Sequence, residues 1–200
     1  MLSLAAILAT AVAPAGAQWR TSTSTDQMTG EQTAYAISTR VSPTERMAFP
    51  YGDTEGWVGF GCDGDSEWAY LGFSDEPNLI NGSTQDGYSR IINRVRWDDH
   101  VENMTFTQEW GAAFLHFASY ADAIAKLESA GTMLVELRWY GAGDVYFQFS
   151  LSGSSAAIER ARAECSSGLI EDADRGFGRL ECARSGVWCW RAFSQHAVDR

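Results

Sequence analysis

The stretch WDDH at Trp97–His100 is where this sequence comes nearest to catalytic chemistry. Alternate residues of a strand share a face, so Asp98 and His100 stand on one side and Asp99 on the other. A carboxylate and an imidazole so placed suit an acid–base pair or a ligand cluster. The same residues also make a polar turn between two strands. Nucleophilic catalysis finds less to work with. There are three histidines, His100, His116 and His196, and a triad needs one of them beside a Ser or Cys and an orienting acid. SLSGSS at Ser150–Ser155 lacks the second glycine of a nucleophile elbow. His116 sits in AFLHF, the setting of a packed histidine. DGDSE at Asp63–Glu67 gathers carboxylates of the kind hard cations want. It lacks the glycine and distal glutamate of an EF-hand loop and reads as a hairpin tip. Neither a metal set nor a cofactor motif is expected.

A patterned polar surface offers a different chemistry. Arg90, Arg94 and Arg96 share one strand face, interrupted by Ile92, while Glu136 and Arg138 lie on the wetter face of a later strand. Arg94, Arg96 and Arg138, with Asp98 nearby, form a candidate site for an anionic ligand, because guanidinium groups grip carboxylate and phosphate in a bidentate fork. Pairing of these arginines across strands, with Glu136 or with the acidic segment, is the alternative. That segment is distinct: no Lys or Arg lies between Arg46 and Arg90, where Asp53, Glu55, Asp63, Asp65, Glu67, Asp75, Glu76 and Asp86 fall. The net charge of −11 argues against sustained binding to a nucleic-acid backbone.

The elements that must position these residues are mostly strands. TAYAISTRV alternates, with Tyr35, Ile37 and Val41 on one face; GWVGFGC sets Val58, Phe60 and Cys62 together; EWAYLGFS sets Ala69, Leu71 and Phe73 together, with Trp68 and Tyr70 opposite. YSRIINRVRW and VENMTFTQEW follow, then TMLVELRWY and DVYFQFSL, joined by Gly141–Asp144 as a hairpin. Such alternation marks antiparallel strands with one buried and one wetter face. Two segments read as helices. SYADAIAKLESAG has Ser119 and Asp122 as a start resembling a capping box, with Gly131 placed as the C-terminal cap. SGSSAAIERARAEC brings Ile158, Ala161 and Cys165 to one stripe. WRTSTST, rich in β-branched threonine, suits an edge strand, with Asp26–Gly30 turning it into TAYAISTRV.

Residues 1–17, MLSLAAILATAVAPAGA, carry no charge and end in an A-x-A pattern, which reads as a signal peptide. The mature chain would then start at Gln18, without a membrane span, in the bacterial periplasm or outside the cell. Cys62, Cys165, Cys182 and Cys189 in an exported chain suggest two disulfides, with three possible pairings. Cys62 faces the core side of its strand and Cys165 the inward stripe of its helix. A bridge between them would clamp helix to sheet and close a loop of about 100 residues, a stabilisation of roughly 4–5 kcal/mol in the chain-entropy account. Cys182 and Cys189 would then close a small loop of their own in residues 166–200, a C-terminal extension.

Taken in order, Trp19, Asp26, Met28 and Thr29, then Cys62, then RVRWDD with Arg94 and Asp98, then YADAIAKLESAGTMLVEL, then Phe149, Leu151, Gly153 and Cys165, resemble the VasI/TagO family of type VI secretion-associated periplasmic proteins. The resemblance covers about residues 19–165; the 35 residues after Cys165 fall outside it. It implies a periplasmic β-rich domain and an accessory role in the envelope. The combined expectation is a mainly β (α+β) chain: an antiparallel, β-sandwich-like domain over 18–165 with two short helices and a disulfide-closed extension. Its expected function is non-enzymatic interaction with an envelope or secretion-system protein, or with cell-wall glycan. The alternatives are a peptidoglycan or glycan hydrolase, and a module for a small anionic ligand.

Overall fold

The hydroxyl-rich stretch after Trp19 is a strand. In the computed structural model, which describes residues 19–64, 66–85 and 87–176, β1 (Trp19–Thr25) pairs antiparallel with β2 (Gln32–Ser38). Asp26 holds the turn between them: its carboxylate accepts from the backbone N–H groups of Met28 at 2.7 Å and Thr29 at 2.9 Å. These bonds favour the charged form and hold the Asp26 carboxyl below its ordinary range. The proposed signal segment 1–17 and the Cys182/Cys189 pair lie outside the described residues.

The chain continues as β3 (Gly56–Asp63), β4 (Ser66–Phe73), β5 (Gly82–Gln85), β6 (Tyr88–Trp97), β7 (His100–Glu109), β8 (Phe114–Phe117), α1 (Tyr120–Ser129), β9 (Thr132–Trp139), β10 (Gly143–Ser150) and α2 (Ser154–Gly176). The strands form one antiparallel sheet in the order β1-β2-β3-β4-β8-β7-β6-β9-β10, with β5 paired to β6 off this path. The sheet curls until its ends meet. The Trp19 indole donates to the Ser150 carbonyl at the end of β10 at 3.3 Å, and Phe147 of β10 stands 5.4 Å from Phe73 of β4. The result is the expected sandwich-like, mainly β architecture. Its interior is aromatic: Phe60, Phe73, Trp139, Phe147 and Phe149 are almost wholly buried. Each such ring removes about 150–250 Å² from water, on the order of 4–6 kcal/mol of transfer free energy.

Both helices lie on the inner side of the sheet, α2 over β1, β2 and β3 and α1 against β4, β8 and α2. This contact decides which way β2 faces. Tyr35 and Ile37 share a face, as their spacing requires, but the buried face is the other one, Ala34 and Ala36. Bulk cannot sit where a helix lies directly on a strand, and α2 meets it with Ala157, Ile158 and Ala161. The bulky face of β2 therefore points outward.

The Cys62–Cys165 disulfide is present, its Cα atoms 6.3 Å apart and both residues buried. Arg162, one turn earlier on α2, forms a bidentate pair with Glu67 of β4 (2.6 and 3.0 Å) and also pairs with Glu128 of α1. Three local expectations change. First, α2 does not stop at Cys165 but runs on to Gly176, 23 residues in all, so it is not a short helix. Second, Ser119 makes no side-chain capping bond; Asp122 instead pairs with Lys126 at 2.8 Å, and Lys126 also reaches Glu102 of β7. Third, the C-cap of α1 is Ala130 in extended conformation, not Gly131. The Gly131 N–H finds its acceptor elsewhere, on Asp98.

Candidate functional site

The outer face of β3 and β4 alternates glycine with aromatic residues. WVGFG in β3 points Trp57, Gly59 and Gly61 outward; WAYLG in β4 does the same for Trp68, Tyr70 and Gly72. Antiparallel register sets each ring opposite a glycine: Trp57 faces Gly72, Tyr70 faces Gly59, and Trp68 faces Gly61. The rings lie across these glycines. A Cβ at Gly61 would fall 2.4, 2.5 and 2.6 Å from three contiguous atoms of the Trp68 indole, and one at Gly72 equally close to Trp57. No residue with a side chain fits beneath them. The ladder runs about 13 Å along the strands.

Flanking strands turn this floor into a hollow of about 450 Å³. β2 contributes Tyr35 and Ile37, β8 contributes Phe114 and His116, and Arg20 of β1 and Arg40 stand at the rim. Edge-to-face contacts fix the rings: Tyr35 to Trp68 at 6.2 Å, Trp57 to Phe114 at 6.1 Å, and Tyr70 to Phe114 at 5.6 Å. The Arg40 guanidinium lies 4.6 Å from the centre of the Trp57 ring and 3.6 Å from Glu55. Arg20 has no ion-pair or hydrogen-bond partner among the described residues. Burial pushes the Tyr70 phenol up to about 12, helped by the nearby Tyr35 hydroxyl, so it stays neutral. Partial burial holds the His116 imidazole below its ordinary range, with Glu109 opposing. Among the described residues no carboxylate lines the hollow, so its fixed charge is that of Arg20 and of Arg40, the latter shared with Glu55.

The residues singled out from sequence lie elsewhere. Asp98 occupies the two-residue turn between β6 and β7, with φ at 50°. Its carboxylate accepts from the N–H groups of Gly131 (3.1 Å) and Thr132 (2.8 Å) and from the Thr132 hydroxyl. These bonds hold it below the usual carboxylate range and pin the α1–β9 junction. His100 begins β7 opposite Trp97. Arg94 makes a bidentate pair with Glu136, which also accepts from the Tyr146 hydroxyl at 2.9 Å. Arg138 pairs with Asp144 at 3.2 Å. Arg96 lines a small hollow of about 160 Å³ beside Arg94, Glu136 and Tyr146. Two of the three candidate arginines are thus engaged within the protein. His116 borders the groove beside Tyr70, their rings 6.1 Å apart, with one side of its imidazole packed and the other open to solvent, while its neighbours Leu115 and Phe117 are buried.

Sequence reasoning passed over the aromatic groove, although Trp68 and Tyr70 were placed on the wetter face of their strand. Its signal was the pair of patterns W-x-G-x-G and W-x-Y-x-G in consecutive hairpin strands. In register, these can only lay rings over glycines. No family model matches the chain, nor does any curated protein or solved structure.

Proposed function

We propose that this chain is an exported, non-enzymatic interaction module of the cell envelope, and that the aromatic groove is the surface through which it works. The observation that carries the reading is the groove itself. A chain of net charge −11 presents a hollow lined by rings, two arginines and a histidine, with no acid among the described residues that line it. Concave surfaces that are mostly apolar, with a few convergent polar groups, are where proteins bind ligands. The rings are fixed by the backbone beneath them, which suits recognition without reorganisation.

Three further features support the setting. Residues 1–17 have the pattern of an export signal. The buried Cys62–Cys165 bridge suits an oxidising compartment. The order of residues from Trp19 to Cys165 resembles the VasI/TagO family, whose members are periplasmic. No helix among the described residues is long and apolar enough to cross a membrane. Asp98, the acid of the rival hydrolase reading, is engaged by the α1–β9 junction.

The test has two arms. A reporter active only outside the cytoplasm, fused after residue 17, must be exported. The full chain is then co-sedimented with purified cell-wall sacculi and outer-membrane fractions, beside the Arg20→Gln and Trp68→Ala variants. Retention of the native chain and its loss in both variants is the expected result. Equal retention of all three would remove the groove from the function, and retention of none would remove the envelope.

A further inference from the structure

Resting on that reading, we propose that the groove takes a glycan whose pyranose rings carry carboxylate groups. A sugar ring stacks on the half-exposed face of Trp68, and Arg20 pairs with a carboxylate. Three observations converge on this class.

The first is the shape of the floor. The indoles lie across Gly72 and Gly61 rather than standing on edge; the remaining face of Trp68 turns to the hollow, while that of Trp57 carries the Arg40 guanidinium at 4.6 Å. The face of an aromatic ring carries the negative end of its quadrupole. The axial C–H groups of a pyranose are weakly positive and form a flat apolar patch that matches it. The ladder is about 13 Å long, enough for more than one sugar ring.

The second is charge. Arg20 has no partner among the described residues, and Arg40 is only loosely held by Glu55 at 3.6 Å. Both project from the groove's rim; among the described residues the lining itself holds no carboxylate, and Glu55 meets Arg40 but not Arg20. A planar guanidinium matches a carboxylate in two parallel hydrogen bonds. In a chain of net charge −11, a local positive rim selects for the acidic member of a ligand class and against its neutral analogue.

The third is what the groove withholds. Its rings stand on β2, β3, β4 and β8, each laddered to a strand on either side, while β1, at the end of the sheet order, bears only Arg20 at the rim. An extended peptide gains much of its affinity by adding to a free sheet edge. The ring-bearing floor offers no such row, so recognition on it passes through ring faces and guanidinium groups.

Calorimetric titration of the full chain distinguishes the possibilities. The probes are an oligogalacturonate as uronate source, peptide-free glycan strands bearing muramic acid as cell-wall source, a neutral chitooligosaccharide, and an acidic Tyr/Glu peptide. One or both acidic glycans are expected to bind, with the neutral oligomer weaker by about tenfold or more, the effect of one charged hydrogen-bonding partner. Arg20→Gln should bring acidic and neutral glycans to similar affinity without changing the melting temperature. Trp68→Phe keeps an apolar ring of smaller face and should weaken both glycans together. Equal affinity for neutral and acidic glycans would overturn the charged half of the proposal. Failure of both acidic glycans, or tighter binding of the peptide, would overturn the ligand class. Groove-dependent retention on envelope fractions would in those cases still leave the broader reading standing.

Discussion

Replacing Gly61 with alanine probes whether the aromatic floor is a built surface. A Cβ at this position lands 2.4 Å from Cε2 of Trp68, where ordinary contact begins at 3.4 Å. The indole must rise by about 1 Å or swing off the strand. Two effects oppose each other. Alanine is easier than glycine to hold in a strand, by about 0.5–1 kcal/mol. Lifting the ring exposes part of its lower face; for roughly 50 Å² that costs about 1.2 kcal/mol. The net change in unfolding free energy lies within about 1 kcal/mol of zero, so the melting temperature moves by less than about 4 °C. Binding behaves differently, because recognition tolerates only about 0.5 Å of misplacement, and affinity for the groove's ligand falls about tenfold or more. Denaturant titration reads the first quantity and calorimetry the second. The Trp68 indole NMR resonance, assigned with Trp68→Phe, reads the ring itself. An unmoved resonance with unchanged affinity would refute the stacking argument. A loss above about 3 kcal/mol would mean that Trp68 belongs to the core rather than to a surface.

Three other predictions concern the frame around the groove. Cys62→Ala/Cys165→Ala opens a loop spanning 103 residues and should cost about 4.7 kcal/mol; an unchanged denaturant midpoint in the native chain with and without reductant would contradict this. Asp98 has a folded pKa below its ordinary value of 3.8, so its contribution is present above that pH and is lost as pH falls through the depressed value. The melting-temperature gap between the native chain and Asp98→Asn should therefore be present at pH 6 and shrink towards zero on acidification below the carboxylate range; a constant gap would count against the capping role. Arg162→Met removes a half-solvated hub that joins α2 to Glu67 and Glu128 and should cost about 1 kcal/mol, less at high salt; a salt-independent loss would assign its effect to packing over Phe60 instead.

Much of this frame was legible because its causes are local. Alternating hydroxyls in WRTSTST, the Asp26 turn and the glycine-rich link before Asp144 each specify strand or hairpin from their own chemistry. The disulfide was legible because Cys62 and Cys165 fall on inward positions of two elements that had to pack. What failed was non-local. Nothing within TAYAISTRV says that a helix 120 residues later will lie on it and demand Ala34 and Ala36 beneath. Nothing near Gly131 says that a carboxylate from the β6–β7 turn will accept its N–H in place of a helix cap. The arginine stripe left ligand binding and cross-strand pairing both open, and register decides for pairing at two positions: it brings Glu136 to Arg94, as the spacing allowed, and Asp144 to Arg138.

The same contact that hid the groove in the sequence also explains why it exists. Because α2 requires small residues on the inner face of β2, its bulk is driven outward, where Tyr35 and Ile37 become one wall of the hollow. Folding alone does not require the other side. Gly59, Gly61 and Gly72 each cost about 0.5–1 kcal/mol in a strand relative to alanine, and cross-strand rings recover only part of that. Trp57, Trp68 and Phe114 remain partly exposed, an apolar surface that stability and solubility would both be better without. Three glycines and three rings in matched register on a face outside the main core, where only Tyr70 of the three is buried, are hard to derive from the needs of the fold. They follow directly if the flat faces are there to be touched, and Arg20 beside them, without a partner among the described residues, states the sign of the charge that touches them.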